Sequence, residues 1–506
     1  MPKIKPSIHS RLQQYVAEFS GIFTSNGKTL FCQKCGKSVN ADQRSQVLQH
    51  LAGSKHKIAA SRATSTRQVL LGETASSSHT PVSKSSEYYA DLCKAFLSSD
   101  IPLYKLKSPE LRTFLTKYTN FETPAESTLR KLYVPACYEQ MLEKIRAECE
   151  NKKIWVSMDE SPDSSGRKVG NVVVGALENN EIVSKRCFLL ACREISASNH
   201  VTMARLFNES LQLLWPNGVK FDNVLLLLTD AAPYMKKAAE GLCVSFPNMI
   251  HVTCIVHGLH RVCEQVRALY PEVDKLISNG KKVFVKAPTR IDLFKAKNPD
   301  LALPPRPIVT RWGTWLEAVV YYADNFENIK SVIDELNKDD ASSIEILQNL
   351  LKDSTLQNKL SYISANLSFL CLSIKKLEIS TNLLTETINE VYEIEKKINA
   401  LQGPKVEAIK QKFKSVFAKN YGFNTMCKIA KVLQGQVDIG EIENLHVSDI
   451  PLMKYARLSS CDVERSFSRY RALFRDNRHR FVMENLEKVF IVHCNSEFFQ
   501  PSSVST

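Results

Sequence analysis

The chain has 506 residues and carries 67 Lys and Arg against 53 Asp and Glu, a formal charge of +14, so it is long enough for several domains with large cores and its charge suits a polyanionic partner. Its fourteen cysteines are scattered, with one CxxC pair, which argues for a reducing compartment and against a disulfide framework. No signal peptide is apparent and no apolar run approaches bilayer length, so a soluble intracellular protein with no membrane partner is expected.

The charge is uneven. Residues 1–86 hold twelve basic and three acidic residues, which leaves +5 for the other 420. This asymmetry suggests a nucleic-acid-binding end on a more neutral body, although a solvated basic tail has the same charge. Residues 8–62 contain Cys32, Cys35, His50 and His56 in the spacing C-x2-C-x14-H-x5-H, close to a C2H2 zinc site. A module this small cannot fold on apolar burial alone, so bound Zn2+ is expected to supply the missing free energy. Lys34, Lys37, Arg44, Lys55 and Lys57 surround the ligands and suit DNA phosphates. A purely structural finger is the alternative.

Residues 63–86 turn to Ser, Thr, Ala and Pro, the composition of a flexible linker. Residues 87–150 read as helical, with apolar stripes at Tyr89, Leu92, Phe96 and Leu97 and at Leu111, Phe114 and Leu115; an adaptor or DNA-contacting spacer is expected.

Residues 151–275 begin with the apolar run Ile154 to Met158, which closes on Asp159 before turn residues. Asn171 to Leu177 and Ile182 to Leu190 follow as strands of an antiparallel meander. A helix over 200–214 comes next, then Asn223 to Thr229, a second apolar run that closes on an acid, Asp230. A helix, a strand over 249–254 and a helix over 259–269 complete the order of a ribonuclease-H-like α/β fold. Strand ends open into crevices where functional groups gather; capping of turns is the rival explanation for either Asp. Cys254, His257, His260 and Cys263 recur every third residue, and each step drifts by roughly 60° on a helix, so the first and last face opposite sides and do not share one ion. His257 is expected near the acids, with Cys254 in support.

Residues 276–455 change character. Pro288 to Thr310 reads as a basic loop, and helical stripes follow, as at Ile388, Val391, Ile394 and Ile398. Residues 456–498 hold an amphipathic helix around Leu458 to Ser468 and a final apolar one with Leu486, Val489 and Phe490.

Five pieces together carry a resemblance: Asp159; Thr229-Asp230 with Met235 to Ala238; Cys254-Ile255-Val256-His257; Thr310-Arg311-Trp312; and Ser460 to Ser468. In this order and spacing, over about residues 150–496, the chain resembles transposases of the hAT superfamily. The N-terminal finger resembles BED-like fingers of the CGG triplet-repeat-binding kind. The resemblance implies a multidomain chain: a C2H2/BED-like zinc finger, a helical segment, and a ribonuclease-H-like α/β catalytic core interrupted by an all-α insertion, the core's last part carrying a dimerisation region. It implies Asp159, Asp230 and Glu464 as a DDE triad holding Mg2+ or Mn2+, and His257, Arg311, Trp312 and Arg465 as DNA contacts. Trp312 would stack on a base flipped out beside the cut, or else begin a core helix with Trp315 and Leu316. Ala231 stands where the family commonly has Asn.

The implied function is cut-and-paste transposition: the finger binds terminal repeats on double-stranded DNA, and the core cuts and joins transposon and target DNA with two ions about 3.5–4 Å apart. A homo-oligomer, dimer or higher, in the nucleus is implied. The alternative is a domesticated, non-catalytic, sequence-specific DNA-binding transcriptional regulator, which has no reason to keep the triad.

Overall fold

The computed structural model of the chain describes residues 7–35, 37–54, 56–57, 84–308, 313–379, 382–437, 445–474 and 482–499. Lys55, Arg311, Trp312 and all but the last three residues of the expected linker therefore lie outside the described residues. The chain divides into two compact units between Val82 and Ser83.

The first unit opens with the helix Ile8–Glu18 and folds three short strands, β1 Phe23–Ser25, β2 Leu30–Cys32 and β3 Lys37–Val39, into an antiparallel meander. Gly27 takes a left-handed conformation in the β1–β2 turn, and the Asn26 side chain accepts from the backbone N–H groups of Lys28 and Thr29. The helix Arg44–Ala52 closes over the meander. Leu12, Tyr15, Phe23, Leu30 and Val47 are the centre of a core too small to hold the unit unaided.

The second unit starts with the helices Lys84–Ser98, Pro109–Thr119 and Val134–Cys149. Its centre is a five-stranded mixed sheet in the order β6-β5-β4-β7-β8, with β4 Ile154–Pro162, β5 Lys168–Ala176, β6 Phe188–Glu194, β7 Val224–Thr229 and β8 Ile250–Thr253. β4, β5 and β6 run antiparallel; β7 runs parallel to β4, and β8 parallel to β7. Every residue of β7 is buried, as expected of a parallel strand covered on both faces. The helix His200–Leu214 covers one face of β5, where a side chain at Gly170 would strike Leu206, while Asn171 on the other face reaches the helix Cys461–Leu473.

Three expectations are corrected. The third strand is not Ile182 to Leu190 but Phe188–Glu194, because the Asn180 side chain accepts from the N–H groups of Ile182 and Val183 and caps a short helix, Glu181–Lys185, on that β-prone run. Asp159 does not end its strand: β4 continues paired with β5 to Pro162, and only its parallel pairing with β7 stops at Ser157 opposite Leu228. Pro288–Lys297 is a helix rather than a loop, with proline in its first turn and Phe294 buried. Between β8 and Ser460 the described residues form helices and connections, with no strand.

Each outer strand is clamped by one buried asparagine. Asn495, on the last helix Met483–Asn495, accepts from Leu189 N–H at 2.9 Å and donates to Leu189 C=O at 2.9 Å. On β8, Asn420 accepts from Thr253 N–H at 3.1 Å and donates to Thr253 C=O at 2.6 Å. Gly422 is needed beside it, since a side chain there would collide with the His251 carbonyl. Asn495→Ala leaves both Leu189 backbone groups without partners, at about 1–3 kcal/mol for a buried group. Denaturant unfolding should show a clearly lowered midpoint with native circular dichroism retained; an unchanged midpoint would mean that the clamp contributes nothing.

Candidate active site and metal centre

In the first unit the spacing of the ligand pairs translates into convergence. Cys32 ends β2, Cys35 lies in the following turn, His50 is in the last turn of the helix Arg44–Ala52, and His56 follows it. The ligand atoms of all four lie within 4.8 Å of one another, with Cys32 Sγ 3.4 Å from His56 Nδ1 and Cys35 Sγ 3.4 Å from His50 Nε2. Burial, His56 and Lys37 lower the pKa of His50, which favours the neutral imidazole that a metal needs. Two thiols and two imidazoles at this separation form a Cys2His2-like zinc-binding cluster. Among the described residues, no other group of three or more Cys, His, Asp and Glu is drawn this tight.

Around the cluster, Lys34, Lys37 and Lys57 are exposed. Arg44 is instead tied to Glu18 through its Nε at 3.0 Å and through Nη2.

In the second unit Asp159 and Asp230 come from neighbouring strands, Asp159 within β4 and Asp230 one residue beyond β7. Glu464 comes from the first turn of the helix Cys461–Leu473. Burial and then the charges of Glu464 and Asp230 push the Asp159 carboxyl well above its usual range, against the pull of His257 and the Glu160 N–H. Asp159 keeps part of its surface open to solvent, which lessens the effect of burial and leaves the like charges of Glu464 and Asp230 as the main cause. The three carboxylates are not drawn as close together as the four zinc-binding ligand atoms, which lie within 4.8 Å of one another.

His257 faces Glu464, with Nε2 3.3 Å from Oε1. Burial lowers its pKa, but the Cys254 sulfur, Glu464 and Asp159 outweigh that and hold it up at about 11. The ring is therefore an imidazolium at neutral pH. Cys254 supports the same corner, its sulfur accepting from Ser460 N–H at 3.2 Å, and Ser460 Oγ lies 3.4 Å from His257 Nδ1. His260 points elsewhere and accepts from Gly313 N–H.

The segment that delivers Glu464 is fixed by Arg457. This side chain is buried; it pairs with Asp462, donates to the Ser184 and Lys185 carbonyls at 3.1 Å, and lies 4.4 Å over the Trp155 ring. Asn171, opposite Asp159 on β5, donates to Ser466 Oγ at 2.7 Å and ties the same helix to the sheet. Arg465 turns to Asp462 and the Glu378 carbonyl, both at 2.7 Å. Sequence reasoning missed Arg457, Asn171 and the Tyr234 hydroxyl that donates to Glu160. Of these, only Arg457, a lone cation between Ala456 and Leu458, left a visible mark in the sequence.

Asp462→Ala strands the Arg457 charge in the interior, and breaking a buried pair in this way costs about 3–5 kcal/mol. Equilibrium unfolding of the full chain should show a loss of that order. A change near zero would mean that Arg457 is satisfied by its carbonyl and ring contacts alone.

Comparison with known proteins places these features. Residues 124–283 match a family described as a domain of unknown function, DUF659; that span contains the whole sheet and both aspartates and stops short of Glu464. The chain is 29% identical over 130 residues to CGG triplet repeat-binding protein 1 of Homo sapiens, across 24% of this chain and 78% of that protein. The Mus musculus protein of that name is 28% identical over 131 residues, with the same coverage. The chain thus carries a DUF659-matching segment in its α/β body and a Cys2His2 zinc-finger-like group near its N-terminus, and part of it is similar to CGG triplet repeat-binding protein 1.

Proposed function

We propose that the protein is a DNA transposase that binds transposon ends through the finger and cuts and joins DNA at Asp159, Asp230 and Glu464. The observation that carries this reading is that Glu464 and Asp230, from distant chain segments, both lie close enough to Asp159 to act on it as like charges and hold its carboxyl above the usual range. A mixed sheet whose first three strands are antiparallel and whose next two run parallel to the first supports a ribonuclease-H-like core, with the helices between β8 and Ser460 as its all-α insertion.

Hard carboxylate oxygens that repel one another suit Mg2+ or Mn2+, which when bound would supply activation of the attacking oxygen and charge neutralisation on the leaving oxygen. Carboxylates that serve different ions need not approach one another as closely as ligands of a single ion. The protein's own groups do the positioning. Asp159 is held by the Glu160 N–H and Asp230 by the Ala232 N–H, so each acid is oriented by backbone next to it. His257 sets its Nε2 3.3 Å from Glu464 Oε1 and so places a cationic ring beside that carboxylate.

The finger's exposed lysines, Lys34, Lys37 and Lys57, suit duplex phosphates, and the relative's name states binding to CGG triplet repeats. Double-stranded DNA as terminal repeats and target, a homo-oligomer of two or more chains, and the nucleus as compartment complete the proposal. Arg465 is committed to contacts within the chain, which weighs against its use on DNA. A second reading, a DNA-binding transcriptional regulator without cleavage, is favoured by the similarity to a protein named only for binding.

With terminal-repeat DNA and Mg2+ or Mn2+, the wild-type chain should cleave, and Asp159→Ala should bind with unchanged affinity while cleavage falls below detection. Binding without cleavage by the wild type would leave the regulator standing. Cys32→Ser should lose the bound zinc, measured by metal analysis, together with most of the DNA affinity; full affinity without zinc would move recognition out of the finger.

A further inference from the structure

Beyond the C-terminal ends of β7 and β8, a cavity of about 130 Å3 that the reading above leaves unused begins one residue after Asp230. Its wall begins at Ala231, the residue after Asp230, passes Thr253 to Ile255 at the end of β8, and closes on the last turn of the helix Val406–Ala418. Four cations line it, Lys236, Arg261, Lys412 and Lys419, and no carboxylate does. None of the four makes a side-chain hydrogen bond or ion pair among the described residues.

The wall is rigid. Asn420 clamps it to Thr253, and Gly258 lets the helices Ile255–Leu269 and Val406–Ala418 approach until a side chain there would lie 2.8 Å from Val416. Four like charges held by fixed backbone around so small a volume repel one another unless an anion sits between them.

We propose that this cavity seats a backbone phosphate of the DNA strand next to the one cut at Asp159 and Asp230. The proposal rests on the DNA-cleavage reading for the strand's path. A nucleic-acid strand is favoured over a free phosphate because the cavity adjoins, sharing Lys236, Thr253, Lys419 and Asn420, a larger concavity of about 520 Å3. Tyr421, 81% exposed, stands in that outer concavity and offers a ring face to a base. The two concavities form one path, phosphate-binding inside and base-stacking outside.

The test is the salt dependence of binding by the full chain to a duplex of mixed sequence, for wild type and for Lys412→Ala/Lys419→Ala. Each phosphate contact contributes roughly 0.9 to the slope of log affinity against log salt, so the double variant should bind more weakly with a slope lower by about two. Lys412→Arg/Lys419→Arg, which keeps the charge, should restore both, and that restoration separates lost contacts from a misfolded chain. An unchanged slope overturns the proposal, as does a loss confined to the binding of inorganic phosphate or a mononucleotide. Because binding is measured without cleavage, the two readings fail separately. A reduced slope in a chain that never cleaves DNA upholds the cavity and sinks the nuclease, whereas cleavage with an unchanged slope does the reverse.

Discussion

A guanidinium buried against a tryptophan sets the geometry of the second unit. Arg457 is 3% exposed, and a charge so placed is tolerable only with its hydrogen bonds met. Asp462 and two carbonyls meet most of them, and the face of Trp155 takes the remaining surface. Trp155 can lie in that position because its partner across the ladder, Gly175, has no side chain to displace it. The absence of a side chain on β5 thus permits the ring, the ring and Asp462 hold the arginine, and the arginine fixes the start of the helix on which Glu464 lies two residues beyond Asp462. A carboxylate more than 300 positions from Asp159 along the chain is brought to it by contacts in which neither acid takes part.

How much of this was legible in the sequence depended on the range of the interaction. β7 was readable because a strand buried on both faces must be apolar throughout, and the zinc ligands because four ligand types at fixed spacing are a local signature. Ile182 and Val183 misled because their β propensity was overruled by one neighbouring asparagine cap, and Asp159 because an apolar run ends where burial ends rather than where pairing ends. Glu464 has no local mark of function and was found through the family resemblance alone. Nothing in the spacing of Arg457, Trp155 and Gly175 tells of their stacking, which exists only after the chain has folded.

Two charge clusters of opposite sign stand near one another in the second unit: Asp159, within β4, feels the charges of Asp230 and Glu464, and Lys236, Arg261, Lys412 and Lys419, unpaired among the described residues, line the cavity that begins at Ala231. Under the proposed reading, a polyanion would be repelled by the carboxylates and attracted by the cations, which would favour approach from the basic side. The cationic ring of His257 lies beside Glu464 and offsets part of the charge that acts on Asp159.

The asparagines on the two outer strands have a further consequence. Both β6 and β8 present backbone groups that would otherwise be open to pairing, and Asn495 and Asn420 occupy them with side-chain amides. An amide so placed takes the position that the backbone of an incoming strand would need, so at Leu189 and at Thr253 the margins of the five-stranded sheet are closed to pairing with a recognition peptide or a second copy.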